Sequence, residues 1–179
     1  MRAFNPIRLK RWSPRRRRRV RSVCLLLLLA PATLLAQNLR ISSATAVRGE
    51  MVALEISLDS APGKEPVALQ WDVTIPAGQL SFVEHDPPAG PAARAADKSM
   101  ACVVKLLKLK DADKFTLVCI VAGGLKPIPN GLVALLRLQV SPEARVESQQ
   151  VYLRGFAVDK DARETPFKEV ETAVTVHAK

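Results

Sequence analysis

A period-two alternation of apolar and polar residues constrains the fold of this chain more than any other feature. In the segment MVALEISLDS, residues 51–60, every second side chain from Val52 to Leu58 is apolar. The segment PVALQWDVTIP repeats the pattern, with Trp71 on the apolar side. This period is typical of β-strands that bury one face. Both segments are therefore predicted to be strands that pack one side against a core.

Similar segments continue to the end of the chain. ACVVKLLKLK, a loop at 111–114 and FTLVCIV together predict a β-hairpin. VYLRGFAV is a further strand candidate, interrupted at Gly155. Two more strands are predicted to have one apolar face each, formed by Leu132, Ala134, Leu136, Leu138 and Val140 and by Val170, Thr172, Val174 and Val176. Many short strands separated by Pro- and Gly-containing turns predict an all-β sandwich or jelly roll with two packed sheets.

The basic residues are concentrated at the start of the chain. The formal net charge is +10, but residues 1–36 contain ten Lys and Arg and no acid, so the remainder is formally neutral. The apolar run from Val23 to Ala36 is shorter than the roughly 20 residues that span a bilayer. Residues 1–36 are therefore predicted to be a signal peptide, with an N-terminal membrane anchor as the alternative. Residues 37–179 are predicted to form one secreted, periplasmic or cell-surface domain that binds no nucleic acid.

Export affects the interpretation of Cys102 and Cys119, because thiols in an oxidising compartment tend to pair. The two cysteines are about equally far from the predicted hairpin tip. A cross-strand disulfide is one interpretation, and two reduced cysteines in the core are the other.

The candidates for chemistry are few, which predicts a protein without catalytic activity. His85 lies in the Pro-rich segment EHDPPAGP, and His177 is the only other histidine. Asp159 and Asp161 offer weak potential for calcium, because the glycine and bidentate glutamate of an EF-type loop are missing. No cofactor is predicted. With Trp71 directed inward, Tyr152 and Phe167 remain as weak candidates for glycan binding.

The predicted hairpin suggests a binding surface of its own. Alternation directs Thr116, Val118 and Ile120 outward on one strand, and Val103, Lys105 and Leu107 outward on the other. A contiguous apolar patch on the outside of a sandwich indicates a site for a protein partner. The alternative is that a loop, the twist of the hairpin or the C-terminal segment covers the patch.

Four segments in sequence resemble bacterial cohesin domains. PVALQWDVTIPAGQLSF resembles the third-strand region of these domains, and VRGEMVALEISL is similar to their start. AGGLKPIPNGLVALLRLQV resembles the cohesin segment in which a loop with Pro-Ile leads to a glycine and an alternating strand. The stretch from Gly155 through the loop DKDARET to Val176 is similar to the cohesin C-terminal end. The resemblance covers nearly the whole predicted domain.

The resemblance implies a jelly-roll sandwich of about nine strands that serves as a receptor module. Cohesins dock the calcium-loaded dockerin modules of polysaccharide-degrading enzymes. In the family, outward polar residues near the start of the third strand help to receive the dockerin. These positions correspond to Ala68 and Gln70 here, which depart from the more acidic or amide pattern, and Asp72 follows on the same side.

The function predicted from the sequence is an exported, non-catalytic docking module of cohesin type, and the resemblance implies a link to polysaccharide degradation. Its partner is predicted to be a dockerin-like module or another cell-surface or envelope protein. Two alternatives remain: a carbohydrate-binding module on the same fold, which would bind a polysaccharide, and a structural component of an envelope or secretion assembly. The membrane is involved only through the N-terminal segment.

Overall fold

The computed structural model describes residues 37–110 and 112–179. The predicted signal peptide, residues 1–36, and the predicted turn residue Asp111 lie outside the described residues. The described part contains eleven strands and one short helix. These are β1 (Asn38–Ile41), β2 (Ala44–Val47), β3 (Met51–Asp59), β4 (Ala68–Pro76), β5 (Leu80–Phe82), α1 (Pro91–Ala95), β6 (Ser99–Leu107), β7 (Lys114–Ala122), β8 (Gly131–Val140), β9 (Ser148–Val158), β10 (Glu164–Pro166) and β11 (Val170–His177).

The strands form two sheets that enclose one core. Sheet I has the order β1-β3-β8-β5, and sheet II has the order β2-β11-β9-β4-β7-β6, with β10 paired to β9. The β2–β11 pair is parallel, whereas the β6–β7, β7–β4 and β4–β9 pairs are antiparallel. The all-β sandwich predicted from the sequence is confirmed, with eleven strands in the described residues rather than about nine.

The core has the side chains that the alternation predicted. Trp71 and Val73 of β4 and Leu54 and Ile56 of β3 have no exposed surface. They belong to one continuous cluster of apolar side chains contributed by both sheets. Burial of each large side chain contributes about 1.5–3 kcal/mol of transfer free energy, so the inward residues hold the sheets together.

The predicted single-face pattern of β8 is wrong at its start. A β-bulge between Ile56 and Ser57 of β3 leaves one extra residue, Val133, on β8. As a result Leu132 lies opposite the outward residue Ser57 and is only half-buried. A bulge of this kind cannot be read from alternation, because it shifts the alternation itself.

Two further features differ from the sequence prediction. Strand β9 is not interrupted at Gly155 but continues through it to Val158. A Cβ atom at residue 155 would lie 2.1 Å from the carbonyl oxygen of Gln70, so the glycine allows β9 to pack closely against β4. The helix α1 was not predicted: its five residues are too few to show a helical period, and only Ala92 and Ala93 are buried.

The connections around α1 are fixed by a buried lysine. The ammonium of Lys98 donates hydrogen bonds to the carbonyl oxygens of Gly123 and Gly124, which joins the start of β6 to the loop after β7. Burial lowers the pKa of Lys98, because the charged ammonium loses hydration there. Within residues 37–110 and 112–179, no helix has the length and apolar character needed to cross a membrane.

Candidate functional site: the outer face of sheet II

The predicted partner-binding residues lie together on the outer face of strands β6, β7, β4 and β9, which we call the docking face. Cross-strand pairing arranges them in rows. One row contains Val103, Val118, Asp72 and Arg154, and the next contains Ala101, Ile120, Gln70 and Phe156. A third row contains Lys105, Thr116, Thr74 and Tyr152, and Ala68 lies opposite Val158. Eight residues scattered over 53 positions of sequence thus lie on one surface.

The middle of the docking face is apolar and open to solvent. Val103 is 50% exposed and Ile120 is 49% exposed. Val118, between them, is half-buried, and Ala101 is exposed. We call these four residues the apolar centre. Their exposure shows that, in the described part of the chain, no loop or terminal segment covers the patch.

Thr116 does not contribute an accessible side chain, although the sequence predicted a binding role for it. Its side chain is on the docking face but is only 3% exposed. The hydroxyl groups of Thr116 and Thr74 are 3.0 Å apart and share a hydrogen bond. Thr116 is therefore a buried member of the docking face, joined by its hydroxyl group to Thr74.

Asp72 places a carboxylate beside the apolar centre. Its Oδ2 atom accepts a hydrogen bond from Nε of Arg154 at 3.3 Å, and its side chain is 17% exposed. The other oxygen, Oδ1, is buried and has no hydrogen-bond partner among the described residues. Buried polar atoms in folded proteins nearly always have a partner, whereas this oxygen lies beneath the face without one among the described residues.

A shallow pocket of about 280 Å³ lies at the hairpin end of the docking face. We call it the hairpin-end pocket. Its lining residues include Leu107, Leu109, Lys114, Tyr152, Arg154 and Glu169. The ammonium of Lys114 lies 5.1 Å from the centre of the Tyr152 ring, at the distance of a cation–π contact.

The two aromatic residues considered for glycan binding are engaged elsewhere. One face of the Tyr152 ring is occupied by the Lys114 ammonium. Phe167 is 8% exposed and belongs to the core cluster. A sugar ring stacks on an open aromatic surface, which the buried Phe167 does not offer and which the Lys114 ammonium limits at Tyr152.

Cys102 and Cys119 form a disulfide in the structure. They are direct cross-strand partners on β6 and β7, with Cys119 fully buried and Cys102 half-buried. The disulfide links the edge strand β6 to the interior of sheet II. It therefore holds the docking-face residues of β6, including Val103, beside their partners on β7.

The residues considered for metal binding or catalysis are not brought together. Asp159 accepts hydrogen bonds through Oδ1 from the backbone N–H groups of Asp161 and Arg163, at 2.8 and 2.9 Å. These bonds, that of Arg163 above all, lower the pKa of Asp159. In residues 37–110 and 112–179, no group of three or more His, Cys, Asp or Glu side chains could hold a metal ion. His85 and His177 are both exposed.

The comparisons with known proteins concern the fold. No family model and no curated protein sequence matches the chain. One similar solved structure is a type I cohesin–dockerin complex from Clostridium thermocellum, with 18% identity, a TM-score of 0.63, and coverage of 79% of this chain and 99% of the other. The chain has the cohesin fold.

Two other cohesins illustrate the breadth of this likeness. A non-cellulosomal cohesin from the archaeon Archaeoglobus fulgidus is 10% identical, with a TM-score of 0.60 over 79% of this chain and 91% of the other. A cohesin module of a family 33 glycoside hydrolase from Clostridium perfringens is also 10% identical, with a TM-score of 0.55 over 80% and 97%. The sequence had already predicted the cohesin-type sandwich, which these structures confirm.

Sequence reasoning missed Lys114 and Arg154 of the docking face, and also Glu169, which lies just before β11 and lines the hairpin-end pocket. Alternation directs Tyr152 and Arg154 to the same side of β9, so the sequence does indicate that these two side chains share a face. However, β9 lies beside β4, which is more than 70 residues earlier in the chain. Only the order of strands in the sheet brings these side chains next to the hairpin.

Proposed function

We propose that this protein is a non-catalytic docking module that binds a protein partner through the docking face of sheet II. The observation that carries the proposal is the solvent-exposed apolar centre on a sheet of the cohesin fold. Apolar side chains at the middle of a surface, with polar groups around them, are the pattern of a protein–protein interface. The cohesin chains of the solved dockerin complexes share this fold.

A calcium-loaded dockerin module is the partner that we propose. Docking would cover Val103, Val118 and Ile120 with apolar side chains of the dockerin. Polar groups of the dockerin would contact the ion pair of Asp72 and Arg154, which lies beside the apolar centre and is exposed on the Arg154 side. Ala68 and Gln70 border this region on β4. Calcium would be held by the partner, and the two aspartates at 159 and 161 would not be needed for it.

We further propose that the module works outside the cytoplasm, where partners of this kind attach enzymes to polysaccharide or to the cell surface. The support is the signal-like pattern of residues 1–36 and the disulfide between Cys102 and Cys119. Disulfides persist mainly in oxidising compartments, which favours an exported protein.

The proposal is tested by measuring binding of the full chain to a panel of dockerin modules by surface plasmon resonance. Each module is presented once with calcium and once with a chelator. We expect saturable binding that disappears when the dockerin loses its calcium, because dockerin folding depends on the bound ion.

Two results would contradict the dockerin proposal. One is the absence of binding at micromolar concentration to every calcium-loaded module. The other is binding that is indifferent to calcium. Stoichiometric assembly with envelope proteins alone would favour the structural alternative, and retention on insoluble polysaccharide would favour the carbohydrate-binding alternative.

A further inference from the structure

The hairpin-end pocket differs in charge from the rest of the docking face. Its lining includes the cations Lys114 and Arg154 and one acid, Glu169. The apolar centre beside it contains no charged residue, and the nearby Asp72 is paired with Arg154. The docking face is therefore apolar in the middle and basic at one end.

Lys114 is held in position but lacks an acidic partner in the part of the chain that the structure describes. Its ammonium lies over the Tyr152 ring, which directs it along the face. Among residues 37–110 and 112–179, no carboxylate lies within 4 Å of it, whereas five other basic side chains form ion pairs. A positioned ammonium of this kind is ready to receive an anion, because little side-chain freedom remains to be lost.

Arg154 provides a second set of donors. It bonds Asp72 through Nε only, and its side chain is 61% exposed. A guanidinium has five N–H donors in a fixed plane, so its terminal nitrogens remain able to bond a carboxylate. Lys114 and Arg154 line the same pocket of about 280 Å³, so an acidic group that enters it meets both cations.

The remaining part of the pocket is apolar. Leu107 is 39% exposed and Leu109 is 52% exposed, and both belong to the pocket lining. Two leucines beside two cations are complementary to a segment of a protein partner in which an acidic residue is next to an apolar one. A free inorganic anion would leave the leucines unused.

We propose that the hairpin-end pocket is an acid-accepting subsite, which binds an Asp or Glu side chain of a protein partner flanked by an apolar side chain. The inference rests on the proposed docking function and deepens it, because it predicts the chemistry of one end of the partner. The partner's acidic residue bonds Lys114 and Arg154, and its apolar neighbour packs on Leu107 and Leu109. The acidic end of the partner would therefore lie at the hairpin end of the docking face, with the rest of the partner over the apolar centre.

Glu169 limits what the pocket accepts. Its carboxylate shares the lining with Lys114 and Arg154, so it repels a second negative charge. Removal of this charge, in the variant Glu169→Gln, should tighten the binding of an acidic segment. A subsite for a cation would respond in the opposite direction.

The test uses three synthetic twelve-residue peptides, which share leucines at fixed positions and differ at the positions between them. These positions are glutamate in the first peptide, glutamine in the second and lysine in the third. Binding to the full chain is followed by backbone amide shifts in nitrogen-15 NMR spectra. We expect the glutamate peptide to shift the amides of Leu107, Lys114, Tyr152 and Arg154, and to bind at least about tenfold more tightly than the other two.

Variants of the chain assign the effect to the pocket. Lys114→Glu should weaken the glutamate peptide about tenfold or more, and Glu169→Gln should tighten it about threefold. Lys64→Glu is the matched control, because it makes the same change in net charge in an exposed turn before the start of β4, whereas the pocket lies beside the end of that strand, and it should leave affinity unchanged. Thermal unfolding curves show that each variant remains folded.

Two outcomes would overturn the subsite. Equal binding of the three peptides, with shifts confined to the edge strand β6, would mean that the peptide adds to the sheet as a strand. An equal loss of affinity in the Lys114 and Lys64 variants would mean attraction by net charge alone. Neither result bears on dockerin binding, which is measured separately, so the subsite and the docking function can fail independently.

Discussion

The outer faces of the two sheets differ, although both are made by the same alternation. The outer face of sheet I is solvated: Glu55 is exposed, and Arg137 pairs with Glu84 at 3.1 Å. Its exposed apolar side chain Met51 lies opposite the polar Gln139. The docking face of sheet II instead places Val103, Val118 and Ile120 in adjacent positions. The difference teaches that the same alternation can leave an exposed apolar residue isolated among polar neighbours on one sheet and contiguous across strands on the other.

The docking face exists only if β9 packs closely against β4, and Gly155 allows this close approach. Gly155→Val should lower the free energy of unfolding by about 3 kcal/mol or more, because its side chain would collide with the backbone at Gln70. Urea unfolding measures the effect. The neighbouring outward variant Arg154→Ala is the control and should cost clearly less, about 1 kcal/mol, because the Arg154 side chain is itself 61% exposed. Comparable losses in both variants would refute the packing argument.

The disulfide is predicted to stabilise the two faces unequally. It closes a loop with a sequence separation of 17, so its removal in Cys102→Ala/Cys119→Val should cost about 3 kcal/mol. Without the disulfide, the rate of amide hydrogen exchange should rise more in the edge strand β6 than in β3 and β8 of sheet I. Uniform acceleration in both sheets would show that the disulfide does not act locally on the docking face.

Asp72 allows a test that separates binding from folding. Asp72→Asn keeps the shape of the side chain but removes the charge, and should weaken dockerin binding about tenfold. Stability should change by less than about 1 kcal/mol, because Arg154 remains exposed to water. Affinity and unfolding are measured on the same preparation. Unchanged affinity would exclude Asp72 from the interface.

The smallest predicted effect concerns Asp159, which lies away from both contrasted faces. Its pKa in the folded protein is lowered, so the turn is favoured above the ordinary carboxyl pKa and weakened as the pH falls through the lower, folded value. In Asp159→Asn, the protection of the backbone amides of residues 161–163 from hydrogen exchange should depend less on pH in the acid range. The partner affinity at neutral pH should be unchanged. A change in affinity at neutral pH would instead connect this turn to binding.

The sequence predicted the sandwich, the inward residues of β3 and β4 and the outward residues of the hairpin. These depend on local alternation, which is visible along a single strand. The bulge beside Val133, the continuous β9 and the contact of Lys114 with Tyr152 were not predicted, because they depend on which strands become neighbours. The burial of Thr116 has the same origin, since side chains of adjacent strands determine how much water reaches it.

The central claim is that a protein partner docks on the apolar centre. The most direct test compares the partner affinities of Ile120→Asp and Met51→Asp. Both residues point outward, with exposed fractions of 49% and 64%, but they are on opposite sheets. We predict that Ile120→Asp weakens binding about 100-fold while Met51→Asp has no effect, with both variants folded. Equal affinities for the two variants, or a loss only in Met51→Asp, would contradict the assignment of the docking face.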